Sequence, residues 1–195
     1  MRLLSLHEPW ATLMALKAKR IETRDWTTSY RGPLAIHASK HGMSLQDTLE
    51  QCLHPVFYDT LMKYEPFHQR MRHYIVDPRV EDVDKRAMKD VFPNRGKIVC
   101  VVNLKEIHPT TKLSHARDFH ASPLNVLPDS EIAFGNYDDV DAVSGQPRQG
   151  WLTEHLFTLP EPIPFTSKQG LVYVPEVIQE QIREQWRGKP WERPQ

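Results

Sequence analysis

The stretch from Lys19 to Trp26 combines side chains that suit the binding of a polar ligand. If its second half is extended, alternate side chains point to the same face. Glu22, Arg24 and Trp26 then share one face, and Thr23 lies on the other. A carboxylate, a guanidinium, an ammonium and an indole on one short surface suit recognition of a planar, polar ligand such as a nucleobase. The alternative is an exposed edge strand with an ordinary surface salt bridge, which contributes little to stability.

Two neighbouring elements would position this stretch. Apolar periodicity predicts a helix over residues 9–18, and the proline at its start suits a first helical turn, where no N–H is needed. Trp10 is there either as core or as the wall of a pocket. Residues 34–39 alternate as a strand, which places His37 and Ser39 on its small-residue face. His37 is either a structural histidine or a ligand contact.

The composition excludes several classes of protein. The 195 residues carry 25 basic and 25 acidic side chains, so bulk charge does not attract nucleic acid, and any such binding needs a local patch. Cys52 and Cys100 have neither metal nor disulfide spacing, which is typical of the reducing cytoplasm. No signal peptide or membrane-spanning run is predicted. His115 and His120 lack partners for a metal set, so we expect no metal and no cofactor.

The chain is long enough to bury one full core. Residues 2–6 alternate as a short opening strand, and the apolar run over residues 97–107 predicts a central strand. Residues 43–95 have helical spacing broken by prolines and an excess of basic side chains, which indicates a helical insertion. Its charged surface is either simply solvated or a flank that contacts phosphates. Pro175 opens a last helix.

Several separated motifs, in the same order along the chain, resemble the ASCH domain, which is named after the activating signal cointegrator homology region. The motifs are Leu4–Ala11 (LSLHEPWA), Lys19–Arg24 (KRIETR), Tyr30–Ser39 (YRGPLAIHAS), Gly150–Leu152 (GWL), Leu159–Phe165 (LPEPIPF) and Lys168–Leu171 (KQGL). The resemblance covers about residues 1–41 and 96–174. It implies an α+β fold, a PUA-like small β-barrel with bordering helices, over residues 1–174. Residues 43–95 are then a helical insertion, and residues 175–195 a C-terminal helix and tail.

The resemblance also implies a helix-bordered cleft that binds RNA, DNA or a modified nucleoside. The family signature in this cleft is Gly-x-Lys-x-x-Glu-x-Arg or a near variant, which Lys19, Glu22 and Arg24 match. Lys17 replaces the glycine, so we expect the edge of the cleft to differ. The expected ligand-binding residues are Trp10, Lys19, Glu22, Arg24, Trp26, Tyr30, His37 and Ser39.

Hydrolysis is the alternative to binding. Some short bacterial relatives resemble amidohydrolases that remove an acyl group from a modified cytidine, N4-acetylcytidine, with a lysine, a threonine and a glutamate. Lys19 fills the lysine position, but Glu22 stands where the threonine would be, and Thr23 is expected on the opposite face. Glu131 and Glu154 are candidates for the glutamate by location only.

If the protein is such a hydrolase, or one that acts on RNA, Lys19 and Glu22 are its expected catalytic residues. For RNA cleavage, His37 and Tyr30 would join Lys19 as acid–base groups. The missing threonine hydroxyl favours binding over hydrolysis. A third hypothesis is a protein-interaction scaffold built on residues 43–95, which would show an exposed apolar patch there.

Overall fold

The structure, a computed structural model, describes residues 1–76, 89–114, 129–137 and 145–187. The strands within these ranges are β1 (Arg2–Leu6), β2 (Ile21–Arg24), β3 (Gly32–Ala38), β4 (Lys97–Pro109), β5 (Gln149–Pro164) and β6 (Leu171–Tyr173). They form one mixed sheet in the order β2–β5–β4–β3–β1–β6. β1 runs parallel to β3, and the other neighbouring pairs are antiparallel.

Helices border this sheet. They are α1 (Trp10–Ala15), α2 (Leu45–Gln51), α3 (Pro55–Leu61), α4 (Glu65–Val76), α5 (Thr110–Ser114), α6 (Asp129–Ala133) and α7 (Glu176–Trp186). In the part of the chain that the structure describes, none of them has the length and apolarity that a membrane crossing requires.

The apolar run that predicts a central strand is β4, which pairs with β3 on one side and β5 on the other. Its side chains from Ile98 to Leu104 are all buried, because both faces of the sheet are covered. One face packs around the indole of Trp151. The other face packs against α7, where the rings of Phe157 and Trp186 stack 5.3 Å apart.

The sheet curls, so that β2 approaches β1 although three strands separate them in the sheet order. Arg24 on β2 donates through Nη2 to the carbonyl of Ser5 on β1 at 2.8 Å. A flat sheet would hold these two strands far apart, because neighbouring strands are spaced by about 4.8 Å. The prediction of an α+β fold on a barrel-like sheet is therefore confirmed.

Helices α2, α3 and α4 lie between β3 and β4, within the predicted insertion. Phe57, Leu61 and Phe67 from these helices pack with Leu13 of α1 and with Phe134 into a third core. These helices therefore pack against the rest of the molecule and share a hydrophobic core with α1.

Some sequence-based expectations fall outside the described residues. Arg79, Lys85 and Arg86 of the predicted basic surface lie there, as do His115 and His120. So does the C-terminal tail from residue 188 onward. The division of the chain into a domain, an insertion and a C-terminal helix with tail stays a prediction.

Candidate ligand-binding cleft

The end of α1 sets where the charged stretch begins. The helix ends at Ala15, earlier than predicted, because Lys17 adopts a left-handed conformation with a φ of 65°. The N–H groups of Lys17 and Ala18 donate to the carbonyls of Met14 and Leu13, each at 3.0 Å. These two bonds form a Schellman cap. The family signature has glycine at this position, which is the residue that adopts this conformation at least cost.

We expect Lys17→Gly to raise the free energy of unfolding by about 0.5–1 kcal/mol. A left-handed conformation costs a residue with a Cβ about 1–2 kcal/mol, and part of this gain is lost to the larger entropy of glycine in the unfolded chain. Urea denaturation measures the change. Lys63→Gly is the matched control, because Lys63 is exposed and is not among the residues with positive φ. If Lys17→Gly is less stable than the wild type, the left-handed conformation does not explain the glycine of the family signature.

The ammonium of Lys19 is buried and tied to three acceptors. Its side chain is 1% exposed. Nζ donates to the carbonyls of Ile21 at 2.5 Å and Phe134 at 2.6 Å, and it lies 3.4 Å from Glu22 Oε2. These acceptors match the three donors of an ammonium. Burial lowers the pKa of Lys19 from its ordinary value, and the negative charges of Glu22 and Glu131 oppose this shift.

The carboxylate of Glu22 lies between two cations. Oε2 faces Lys19, and Oε1 lies 3.1 Å from Arg24 Nε, close enough for an ion pair although the N–H is not aligned for a hydrogen bond. The Glu22 side chain is only 11% exposed. This cluster is therefore not the ordinary surface salt bridge of the alternative interpretation, even though β2 is an edge strand.

A cavity of about 280 Å³ opens beside this cluster, and we call it the base cavity. It is enclosed by β2, the start of α1 and residues 133–136. It is lined by Trp10, Lys19, Glu22 and Arg24 of the predicted site. Its volume lies near the lower end of the range of about 300–1,000 Å³ that small-molecule sites occupy. A single planar group is the kind of ligand that fits such a space.

Thr23 also lines the base cavity, although strand alternation places its side chain on the face of β2 opposite Glu22 and Arg24. The segment after α6 folds over its side of β2. The N–H of Asn136 donates to Thr23 Oγ1 at 3.1 Å, and a Cβ on Gly135 would approach Thr23 Cγ2 to 3.2 Å. Alternation assigns the two faces of a strand but not the loop that covers them.

A second cavity of about 780 Å³ adjoins the first, and we call it the outer cavity. It is lined by Trp26, His37 and Ser39 of the predicted site. Arg24 and His7 line both cavities, which makes the two spaces neighbours. Most of the predicted site residues are thus divided between two neighbouring cavities instead of surrounding one.

Both ring nitrogens of His37 are engaged. Nε2 lies 3.0 Å from the carbonyl of Phe165, and Nδ1 lies 2.9 Å from Ser5 Oγ. Because a carbonyl only accepts, we assign the ring proton to Nε2, and Nδ1 then accepts from the Ser5 hydroxyl. Burial lowers the pKa of His37, which favours this neutral form. The contacts favour the structural interpretation of His37.

Two aromatic residues of the predicted site have structural contacts. Trp26 packs edge-on against Trp151, with ring centres 4.6 Å apart, and its carbonyl accepts from Trp151 Nε1 at 3.3 Å. Tyr30 lines neither of the two cavities described here, and its hydroxyl donates to the carbonyl of Pro33 at 2.5 Å. The structure does not bring Tyr30 to the cleft.

The two candidates for a remote glutamate do not line the base cavity either. Glu131 is buried and accepts from the backbone N–H groups of Arg20 and Ile21 at 3.0–3.2 Å, and from Arg20 Nε at 2.9 Å. It therefore fixes the start of β2. Glu154 is exposed and lies 3.0 Å from the ammonium of Lys105.

Sequence reasoning missed several residues that line the base cavity, among them His7, Asn136 and Arg148. His7 lies inside the LSLHEPWA motif, directly after β1, and its place in this motif could have identified it as a site residue. Arg148 donates through Nη2 to the carbonyl of Thr23 at 3.3 Å. Asn136 and Arg148 come from distant parts of the chain, so no local pattern marks them. Within the described ranges, no group of His, Cys, Asp and Glu has the arrangement of a metal site.

The ASCH domain family model matches residues 4–144, which is more than half of the chain. The chain therefore belongs to the ASCH domain family. The human and mouse proteins named Activating signal cointegrator 1 are each 45% identical to it over 47 residues, which are 24% of this chain and 8% of theirs. The chain thus matches less than a tenth of the length of these curated relatives.

Crystal structures of an ASCH protein from Zymomonas mobilis are similar to this structure. One has a TM-score of 0.45 and 11% sequence identity, and covers 94% of this chain and 93% of that chain. A mutant of the same protein has a TM-score of 0.44 and 12% identity, with 94% of both chains covered. These values are too low for individual residues to be equated between the structures.

Proposed function

We propose that this ASCH-domain protein binds RNA, DNA or a modified nucleoside by taking one base into the base cavity. The observation that carries the proposal is the Glu22 carboxylate, which is nearly buried, held between two cations and placed at the wall of a cavity. A carboxylate can only accept hydrogen bonds, so it selects a ligand edge that donates them, such as an exocyclic amine. In a low-dielectric site such a bond is stronger than in water.

Other residues of the base cavity complete this recognition. Trp10 is half-buried at the wall and supplies an aromatic face, and stacking on such a face is typically worth about 1–3 kcal/mol per base. Arg24 is held by Glu22 and by the carbonyl of Ser5, so its guanidinium enters the cleft in one orientation. Lys19 is a positioning residue, because its donors serve two carbonyls and Glu22.

We expect Glu22→Gln to weaken nucleoside binding by about 10- to 100-fold, because a hydrogen bond to a charged acceptor contributes about 1.5–3 kcal/mol. Calorimetric titration with a panel of unmodified and modified nucleosides measures this loss. Glu161→Gln is the matched control, since Glu161 is exposed on β5 and lines neither cavity. Melting curves of both variants show whether they are folded. Equal affinities of the folded Glu22→Gln variant and the control would contradict the proposal.

Hydrolysis of RNA or of an acylated nucleoside is the second candidate, and one observation favours keeping it. Thr23 and Lys19 both line the base cavity, and they are two of the three residue types that the amidohydrolase-like relatives are expected to use. Mass spectrometry of the same nucleoside panel and of short RNA strands would detect products. Turnover by the wild type that disappears in Thr23→Val would identify a hydrolase and contradict a purely binding function.

The scaffold hypothesis has little support in the described residues of the insertion. Leu53, 84% exposed between α2 and α3, is the large apolar side chain that stands out there. One such residue does not make an interaction patch. A cytoplasmic location stays a prediction.

A further inference from the structure

We propose that the outer cavity holds a phosphate next to the bound base, so that the ligand is a nucleotide or a nucleic-acid strand rather than a free nucleoside. This inference rests on the function proposed above, because the base defines where the phosphate lies. Three features of the described residues carry it: the charge of the outer cavity, the two residues that it shares with the base cavity, and the contacts of the Lys40 stem.

The outer cavity has more cationic than acidic side chains in its lining, although the formal net charge of the chain is zero. Arg24, Lys40 and Lys168 line it, and Asp25 is the one acidic residue among its lining residues. Hydroxyl side chains of Ser39, Thr166 and Ser167 line it as well. Ammonium and guanidinium groups with nearby hydroxyls are the side chains that contact nucleic-acid phosphates most often. These side chains form the kind of local patch that nucleic-acid binding needs in a chain of balanced charge.

The two cavities meet at His7 and Arg24, which line both. The ring of His7 is oriented by its neighbour: Nδ1 lies 2.7 Å from the carbonyl of His41. Because a carbonyl only accepts, Nδ1 carries the proton in the neutral ring. The phosphate of a ligand in the base cavity would therefore pass Arg24 and His7 to enter the outer cavity.

Lys40 is held in place by the backbone beneath it. Gly96 has a φ of 79°, and a Cβ there would approach Lys40 Cε to 2.7 Å, so the lysine stem lies directly over this glycine. Arg95 Nη2 donates to the Lys40 carbonyl at 2.5 Å and fixes its backbone. Lys40 is itself exposed, and its stem packs along this backbone at the edge of the outer cavity. Contact along the stem restricts the side chain before a ligand binds, which lowers the entropic cost of holding an anion.

The test compares Lys40→Gln/Lys168→Gln with the control Lys63→Gln/Lys112→Gln, two exposed lysines that line neither cavity. Glutamine removes the charge and keeps the Cβ and Cγ methylenes, of which Cγ approaches Gly96. The ligands are nucleosides, their 3′- and 5′-monophosphates, and short labelled single strands of RNA and DNA. Calorimetry and fluorescence anisotropy at several salt concentrations measure the affinities.

We expect the cavity double variant to bind strands about tenfold more weakly than the control and to bind nucleosides unchanged. The slope of log K against log salt concentration should fall by about 0.7, which corresponds to one phosphate contact on a single strand. Loss for the monophosphates as well places the phosphate on the bound nucleotide itself. Loss for strands alone places it on the adjoining nucleotide.

Failure of the inference can be told from failure of the proposed function. If the wild type binds nucleosides in a Glu22-dependent way but the two double variants bind strands equally, the phosphate site is wrong and the base cavity stands. If the lysine pair affects strands but Glu22→Gln affects no ligand, the base assignment is wrong. A wild type that binds neither nucleosides nor strands contradicts both.

Discussion

Lys19→Met is expected to lower the free energy of unfolding by about 3–5 kcal/mol, the cost of removing one partner of a buried ion pair. Methionine keeps most of the apolar stem and removes the ammonium. The carbonyls of Ile21 and Phe134 then lose their shared donor, and Glu22 keeps only Arg24 as a cationic partner. Each buried acceptor that is left without a donor adds its own desolvation cost. Urea denaturation at neutral pH measures the loss.

A double-mutant cycle separates the ion pair from the carbonyl contacts. Glu22→Gln should cost less in the Lys19→Met background than in the wild type, because the charge that it would leave unpaired is already gone. Lys63→Met is the control for loss of a positive charge at an exposed site. If Lys19→Met lowers the free energy of unfolding by less than about 1 kcal/mol, the loss is that of an exposed salt bridge. The ammonium would then be solvated, which would contradict the buried cluster in the cleft.

Glu8→Gln is expected to remove a large part of the pH dependence of stability. Glu8 is 1% exposed, Oε2 accepts from the N–H of Thr12 at 3.0 Å, and Oε1 has no hydrogen-bond partner among the described residues. Burial raises the pKa of Glu8 to about 7, although the hydrogen bonds from Thr12 and the charge of Arg95 oppose the shift. The folded protein therefore holds this proton more tightly than the unfolded chain does.

The direction of the pH dependence follows from the number of protons that the folded and the unfolded protein bind. The stabilisation from the bound proton is complete below the unfolded pKa of 4.5 and is lost as the pH rises through about 7. Over this window the wild type should lose roughly 3 kcal/mol relative to Glu8→Gln, which has no proton to release. Denaturation curves at pH 4, 6 and 8 measure the difference in the free energy of unfolding between the wild type and Glu8→Gln. The other titrating groups are the same in both proteins, so their contributions cancel. Parallel pH profiles would contradict the assignment.

The sequence predicted the charged cluster because its members are close in the chain. Alternation along β2 places Glu22 and Arg24 on one face, and their ion pair at 3.1 Å agrees with this pattern. β4 was predictable as the central strand because its apolar run is long enough to need cover on both faces. The early end of α1 had only one signal, Lys17 in place of the signature glycine, and its meaning is evident only from the φ of 65°.

The division into two cavities could not be read from the sequence. It depends on the curl that brings β2 to β1, and on the approach of residues 133–136 to Thr23. Glu131 illustrates the same limit: its position suggests a distant catalytic carboxylate, but its oxygens accept from the backbone at the start of β2. Contacts between segments more than a hundred residues apart leave no periodic pattern in the sequence.

The most direct test of the base cavity is a nuclear magnetic resonance titration of the tryptophan indole N–H signals with the nucleoside panel. The chain has five tryptophans, and Trp10→Phe assigns the important signal. Trp10 lines the base cavity. Trp186, the last residue of α7, stacks on Phe157 and lines neither cavity. We predict that a nucleoside shifts the Trp10 signal in a saturable way and leaves Trp186 unchanged. A Trp10 signal that no nucleoside moves would contradict the account.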